Sequence, residues 1–162
     1  MATKTADPTA VFTDAVIAGV KQSQEVAFSG ISLWMDFAGK AFTLPELEVR
    51  IKRFASELGL EVRFFQSNHE GEFVEYLHRL PDLADAALLN AGAWTHYSFA
   101  IRDALEIARV PVVEVHLSDV QAREEWRRRS VFEGLVLGVV SGEGPDGYRK
   151  ALGMLKAELD RE

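Results

Sequence analysis

Three short segments gather the side chains whose types and spacing could do chemistry. The first, Asn90-Ala91-Gly92-Ala93-Trp94-Thr95-His96-Tyr97-Ser98, sets an amide, an imidazole and hydroxyls where a buried apolar run gives way to an amphipathic one. Such a concentration suits a polar ligand. Taken alone it more often serves structure, with Thr95 and Ser98 capping the next helix and His96 a satisfied histidine. The second, Glu114-Val115-His116-Leu117-Ser118-Asp119, puts Glu114 and His116 on one side of a strand by period-two alternation. A carboxylate beside an imidazole fixes its tautomer and favours its protonated form, the state needed to protonate a departing hydroxyl near neutral pH. Ser118 and the free N–H groups opening a following helix would suit a carboxylate, so the matching substrate is a hydroxy acid. The third is the basic run Arg123, Arg127, Arg128 and Arg129. On a helix over 122–129, Arg123 and Arg127 stand one turn apart and could clamp an anion, although such a run is more often a solvated face, here with Glu124 and Glu125 to pair it.

Alternating short apolar runs and amphipathic segments must position these groups. Strands are expected at Val26–Gly30, Glu61–Phe65, Ala86–Asn90, Val110–His116 and Leu135–Val140. Helices are expected at Leu44–Leu58, Gly71–Leu80, Phe99–Ala108, Ala122–Arg129 and Pro145–Leu159. Five strands joined by helical crossovers call for an α/β fold, a parallel sheet covered on both faces, with ligands collecting beyond the carboxyl ends of the strands. Gln66–Glu70, Asn90–Ser98 and Glu114–Asp119 all fall at such ends. Before them, Asp7-Pro8 caps a helix over Thr9–Lys21, whose Phe12, Val16 and Val20 form an apolar stripe for docking. The chain thus divides into a partly helical N-terminal extension, 1–24, and a main domain, 25–162.

Composition narrows the function classes. With 162 residues and 48% hydrophobic side chains the chain can build one ordinary core. The net charge of -7 disfavours nucleic acid and anionic membranes as partners while leaving room for a local basic patch. The absence of cysteine excludes disulfides, thiolate metal sites and thiol catalysis, and fits a reducing cytoplasm. No apolar run approaches the roughly 20 residues that span a bilayer, the N-terminus lacks a secretory pattern, and no H-E-x-x-H metal pair is present.

Six blocks, Q-S-N-H-E-G at 66–71, N-A-G-A-W-T-H-Y-S at 90–98, I-R-D-A-L at 101–105, E-V-H-L-S-D at 114–119, A-R-E-E-W-R-R-R-S at 122–130 and G-x-G-x-x-G-Y at 142–148, stand in the order and spacing of type II 3-dehydroquinate dehydratases. The resemblance covers residues from about 43 to 160. It implies a flavodoxin-like three-layer sandwich with a five-stranded parallel sheet, assembled as trimers or dodecamers. The reaction it implies is loss of water from 3-dehydroquinate through an enolate, without metal or other cofactor, in the shikimate pathway. By the same resemblance His116 is the general acid and Glu114 its support. Asn90 and His96 hold ring hydroxyls, the Leu117 backbone and Ser118 hold the carboxylate, and Arg127, with Arg123 nearby, binds the ring. Asp103 belongs to a shell shared with an adjacent subunit.

The family's lid after the first strand, roughly N-L-N-L-L-G-x-R-E-P-x-x-Y-G, carries the tyrosine base and an arginine that activates it. This chain departs from that pattern, for no Tyr or Arg lies between Gly30 and Leu44. Asp36 and Lys40 are the ionisable residues of that stretch, and Asp119 replaces the asparagine that follows H-L-S. Two readings follow: a hydro-lyase acting on 3-dehydroquinate or a related cyclic hydroxy acid or ketone with an altered base, or a non-catalytic homologue that binds a ligand or serves assembly. A flavin or receiver module of the same fold is disfavoured, since no phosphate-binding glycine loop or acidic receiver cluster stands at the strand ends.

Overall fold

Thr43-Leu44-Pro45-Glu46 is a helix start written into the sequence. The Thr43 side chain accepts from the Glu46 N–H, Glu46 reaches back to accept from the Thr43 N–H at 2.6 Å, and Pro45 sits in the first turn, where a missing N–H costs nothing. The helix that follows, α1 (Leu44–Glu57), buries Leu44, Leu47, Ile51, Phe54 and Ala55, the stripe that its three-and-four spacing dictates. The structure, a computed structural model, describes residues 15–21, 33–35 and 41–161.

Among the described residues, three strands precede α1: β1 (Ala15–Lys21), β2 (Leu33–Met35) and β3 (Ala41–Thr43). After it come β4 (Glu61–Ser67), α2 (Glu70–His78), α3 (Leu80–Leu83), β5 (Ala86–Asn90), α4 (Phe99–Ala108), β6 (Val112–His116), β7 (Gly138–Ser141) and α5 (Asp146–Leu159). The main sheet has the order β4-β1-β5-β6-β7, and β2 with β3 forms a separate hairpin. Strands β5, β6 and β7 are parallel neighbours.

Two expectations for the amino-terminal part are corrected. Ala15–Lys21, expected within a helix of an N-terminal extension, is a strand inside the main sheet, antiparallel to both β4 and β5. The sheet is therefore mixed rather than wholly parallel. Ala15-Val16-Ile17-Ala18-Gly19-Val20 is an unbroken apolar run with three β-branched residues, and such a run is as much a central strand as a helix face. The expected strand at Val26–Gly30, Asp36, Lys40 and the Asp7-Pro8 cap lie outside the described residues.

The core has two parts, one on each side of the sheet. Leu47, Ile51 and Phe54 of α1 and Tyr148, Leu152 and Leu155 of α5 close over Leu88, Val113, Val115 and Val140. On the other side Phe73 and Leu77 of α2 and Ile101 and Leu105 of α4 pack with Ala87, Leu89, Val112 and Phe132. Alternation along β5 and β6 decides which residue belongs to which side. Leu89 pairs in register with Glu114, so Glu114 and His116 share the α4 side. Among the described residues no helix is long and apolar enough to cross a membrane.

The crossover from β6 to β7 is the third correction. A helix over Ala122–Arg129 is expected, whereas the chain makes two short 3-10 turns, Val120–Ala122 and Glu125–Arg128, then irregular turns to β7. Between residues 120 and 130 only Val120 is a buried apolar side chain and Trp126 is half exposed, so no apolar stripe exists to hold a full helix on the sheet. Phe132, fully buried, pins this crossover to the α4 side.

Candidate functional site

Among the described residues no helix closes the sheet over β6 and β7 on this side, and a cavity of about 370 Å³ lies there, bordered by Thr95, His96, Glu114, His116, Arg127 and Ser130 among others. The strand parity that puts Glu114 and His116 on this side brings them into contact, His116 Nε2 lying 2.7 Å from Glu114 Oε1. The second carboxylate oxygen accepts from the Ser130 hydroxyl at 2.7 Å, and the Phe132 N–H donates to that same hydroxyl oxygen. Glu114 is fully buried, and both its oxygens are engaged. A charge removed from water in this way must be compensated by such bonds. Its contact fixes Nε2 as the partner of the carboxylate and leaves Nδ1 of His116 as the nitrogen for a ligand.

The end of β6 is held by the β7–α5 loop. The Gly142 N–H donates to the His116 carbonyl at 3.2 Å and the Gly144 N–H to the Leu117 carbonyl at 3.1 Å. Gly142 has φ +79°, and a Cβ there would lie 3.0 Å from the Cβ of Asp119, so only glycine fits this junction without strain. The G-x-G-x-x-G at 142–147 thus ties strand ends together, with two of its N–H groups directed at carbonyls rather than at a phosphate.

His96 ends a 3-10 turn, Gly92–His96, that follows β5. Its Nδ1 lies 2.9 Å from the Arg129 carbonyl, which requires a proton on Nδ1 and leaves Nε2 an acceptor. Burial holds this imidazole below its ordinary value of 6.5, the Arg129 carbonyl opposes that, and the nearby His116 and Arg127 push it further down. The two imidazoles are nearly parallel, with ring centroids 6.4 Å apart, and the edge of Trp126 meets His96 at 5.4 Å. Arg127 lies over the Trp126 ring at 4.3 Å. Its Nε forms an ion pair with Glu124 Oε2 at 3.0 Å. The Thr95 hydroxyl, in a residue of the same cavity wall that is 1% exposed, has no partner.

Of the residues singled out in the sequence, Glu114, His116, His96 and Arg127 come together on the cavity. Leu117 and Ser118 lie just past His116 at the strand end, with the Ser118 carbonyl accepting from the Ser141 hydroxyl. Three others stand apart. Asn90 faces the opposite side of the sheet, where its Nδ2 donates to Tyr148 Oη at 3.0 Å and its Oδ1 accepts from the Gly92 N–H. Asp103 is exposed on α4, and Arg123 follows the first 3-10 turn, so the one-turn clamp with Arg127 does not form. Past Ser118 the first N–H groups of the turn are already engaged. The Asp119 carboxylate accepts from the Gln121 N–H there, and the Val120 N–H goes to the Ser141 hydroxyl.

Sequence reasoning missed Ser130 and the unpartnered hydroxyl of Thr95. It missed Arg102 as well, whose guanidinium donates to the carbonyls of Val131 and Glu133 and so fixes the wall. None of the three tyrosines of the chain borders the cavity. Tyr148 is buried in the opposite core, and burial pushes its phenol up to about 12, with the Asn90 bond opposing. Among the described residues no cluster of three or more His, Asp or Glu could hold a metal ion.

Comparison with known proteins gives a consistent result. The family described as Dehydroquinase class II matches residues 36–156. The 3-dehydroquinate dehydratase of Syntrophotalea carbinolica is 50% identical over 116 residues, 71% of this chain and 77% of that protein. That of Thermotoga neapolitana is 52% identical over 111 residues, 68% of this chain and 75% of that protein. The crystal structure of the type II dehydroquinase from Butyrivibrio crossotus superposes with a TM-score of 0.67 at 38% identity, covering 70% of this chain and 80% of that one.

Proposed function

Because the chain belongs to the class II dehydroquinase family, we propose that it is a hydro-lyase that removes water from 3-dehydroquinate or a related cyclic hydroxy acid or ketone. The carrying observation is the buried pair of Glu114 and His116 on the wall of a cavity large enough for a small polar ring. His116, held by Glu114, is the acid that protonates the leaving hydroxyl from Nδ1. Ser118 and the Leu117 backbone receive the substrate carboxylate, and Arg127, on the cavity wall, binds the ring. Asn90, on the opposite side of the sheet, and Arg123, off the cavity wall, make no substrate contact in this reading.

The fold is flavodoxin-like in strand order, and the altered stretch between Gly30 and Leu44 replaces the family's lid. The protein is cytoplasmic and works as a trimer or a dodecamer. In support of self-association, Phe99, 66% exposed, and Asp103 stand one turn apart on the open face of α4, where a neighbouring copy would bring Asp103 to a site. A ligand-binding homologue without turnover is the second reading, favoured by the lack of a tyrosine on the cavity wall.

Purified protein mixed with 3-dehydroquinate, followed through the ultraviolet absorbance of the conjugated product, separates the two. The lyase reading expects product, and it expects His116→Ala to lower turnover by about 10²- to 10⁴-fold, the usual worth of a positioned proton donor. Saturable binding with no product at high protein concentration would favour the second reading. An unchanged rate in His116→Ala would remove the assigned acid.

A further inference from the structure

Water elimination next to a ketone needs two proton transfers, and the cavity contains two imidazoles with different surroundings. We infer that His96 is the general base of this site, its Nε2 taking the proton from the carbon beside the substrate carbonyl. The inference rests on the lyase reading and deepens it.

Four observations carry it. His96 and His116 border one cavity. Their centroids, 6.4 Å apart, are too distant for a direct ring-to-ring hydrogen bond and near enough for both to reach groups on adjacent substrate carbons, each at about 3 Å. The two tautomers are set in opposite senses. His116 turns Nε2 to the Glu114 carboxylate at 2.7 Å, which leaves Nδ1 for a ligand. His96 gives its Nδ1 proton to the Arg129 carbonyl, so Nε2 presents a lone pair. Finally, no other described group on the wall is suited to abstracting a proton. Glu114 has both oxygens bonded, Glu133 is exposed to solvent, and no tyrosine borders the cavity.

The charged groups facing His96 are His116 and Arg127, which hold it neutral, and Glu114, which opposes them; burial is the largest influence and also favours the neutral ring. A neutral imidazole near physiological pH is what a base requires.

The step balances without a further reactant. Nε2 of His96 takes the proton, and the C–H electron pair becomes an enolate. The enolate collapses to a carbon–carbon double bond as the C–O bond breaks. The departing hydroxide takes a proton from His116 and leaves as water. His96 ends protonated and His116 neutral, and solvent restores both.

The test is run in D₂O on the full chain with 3-dehydroquinate, reading deuterium uptake at the carbon beside the ketone by NMR and product by absorbance. Wild type is expected to exchange and to dehydrate. His116→Gln should still exchange while dehydrating at least about 100-fold more slowly. His96→Asn, whose amide can still donate to the Arg129 carbonyl, should lose both by a similar factor, and added imidazole should restore exchange in His96→Ala. The wild-type kcat should fall on the acid side as pH drops through a value below 6.5, because the base must be unprotonated. Dehydration by His96→Asn within about threefold of an active wild type would overturn the role of His96 alone. A wild type that neither exchanges nor dehydrates would overturn the lyase reading and His96 with it.

Discussion

The two sides of the sheet are built to opposite purposes. On one, two fourteen-residue helices, α1 and α5, lie over an apolar strand surface, and its buried polar pair, Asn90 with Tyr148, satisfies itself. On the other, α2 and α4 cover the first half, but the β6–β7 crossover has no apolar stripe and runs as irregular turns. That side keeps a cavity, a buried carboxylate, two imidazoles and polar atoms without partners. Complete packing makes the first side stable and inert. Incomplete packing of the second leaves groups able to meet a ligand, at a cost in stability.

Core truncations break this contrast most directly. Phe132→Ala removes the plug that pins the crossover and should cost about 3–5 kcal/mol, abolishing turnover along with the cavity wall. Leu152→Ala on the closed side should cost about 2–5 kcal/mol, yet leave kcat and KM of the folded protein unchanged. Denaturant unfolding beside steady-state kinetics checks both, and a selective loss of kcat in Leu152→Ala would mean that the two sides are not independent.

Next come the two buried polar bonds. Ser130→Ala takes one donor from the Glu114 carboxylate and should cost about 1.5–3 kcal/mol, the range for a bond to a charge. Tyr148→Phe leaves Asn90 Nδ2 without an acceptor and should cost about 1–3 kcal/mol with kcat preserved. A tenfold loss of kcat in Tyr148→Phe would bring Asn90 back into the site. The smallest effect is Thr95→Val. It removes a buried hydroxyl that lacks a protein partner, so stability should change by less than about 1 kcal/mol or rise slightly, with KM within about twofold of wild type.

The pairing of Glu114 with His116 is legible in the sequence because strand alternation is local and rigid. The same parity, extended to β5, puts Asn90 with Leu88 on the far side, a signal present in the sequence that the clustering of polar residues obscures. Ser98 is legible as a cap and is one, since its hydroxyl accepts from the Ile101 N–H, whereas the Thr95 hydroxyl is buried and caps nothing. Ser130 reaches Glu114 from sixteen positions along the chain, past the end of β6 and two 3-10 turns, and no periodicity reports such a contact. The arginine run misleads because charges at helical spacing say nothing of whether an apolar face exists to anchor the helix. Strand β1 passes for a helix because a short apolar run fits both periods, and only the open position between β4 and β5 decides between them.

That last strand has a consequence for how the protein fails. Seven residues, Ala15–Lys21, bond on one side to 61–67 and on the other to 86–90. Losing this one segment would bare two sheet edges at once, each a row of unpaired backbone donors and acceptors ready to recruit a foreign strand. Proteolytic nicking or a proline within those seven residues should therefore show itself first as aggregation, before any defect in the distant cavity is felt.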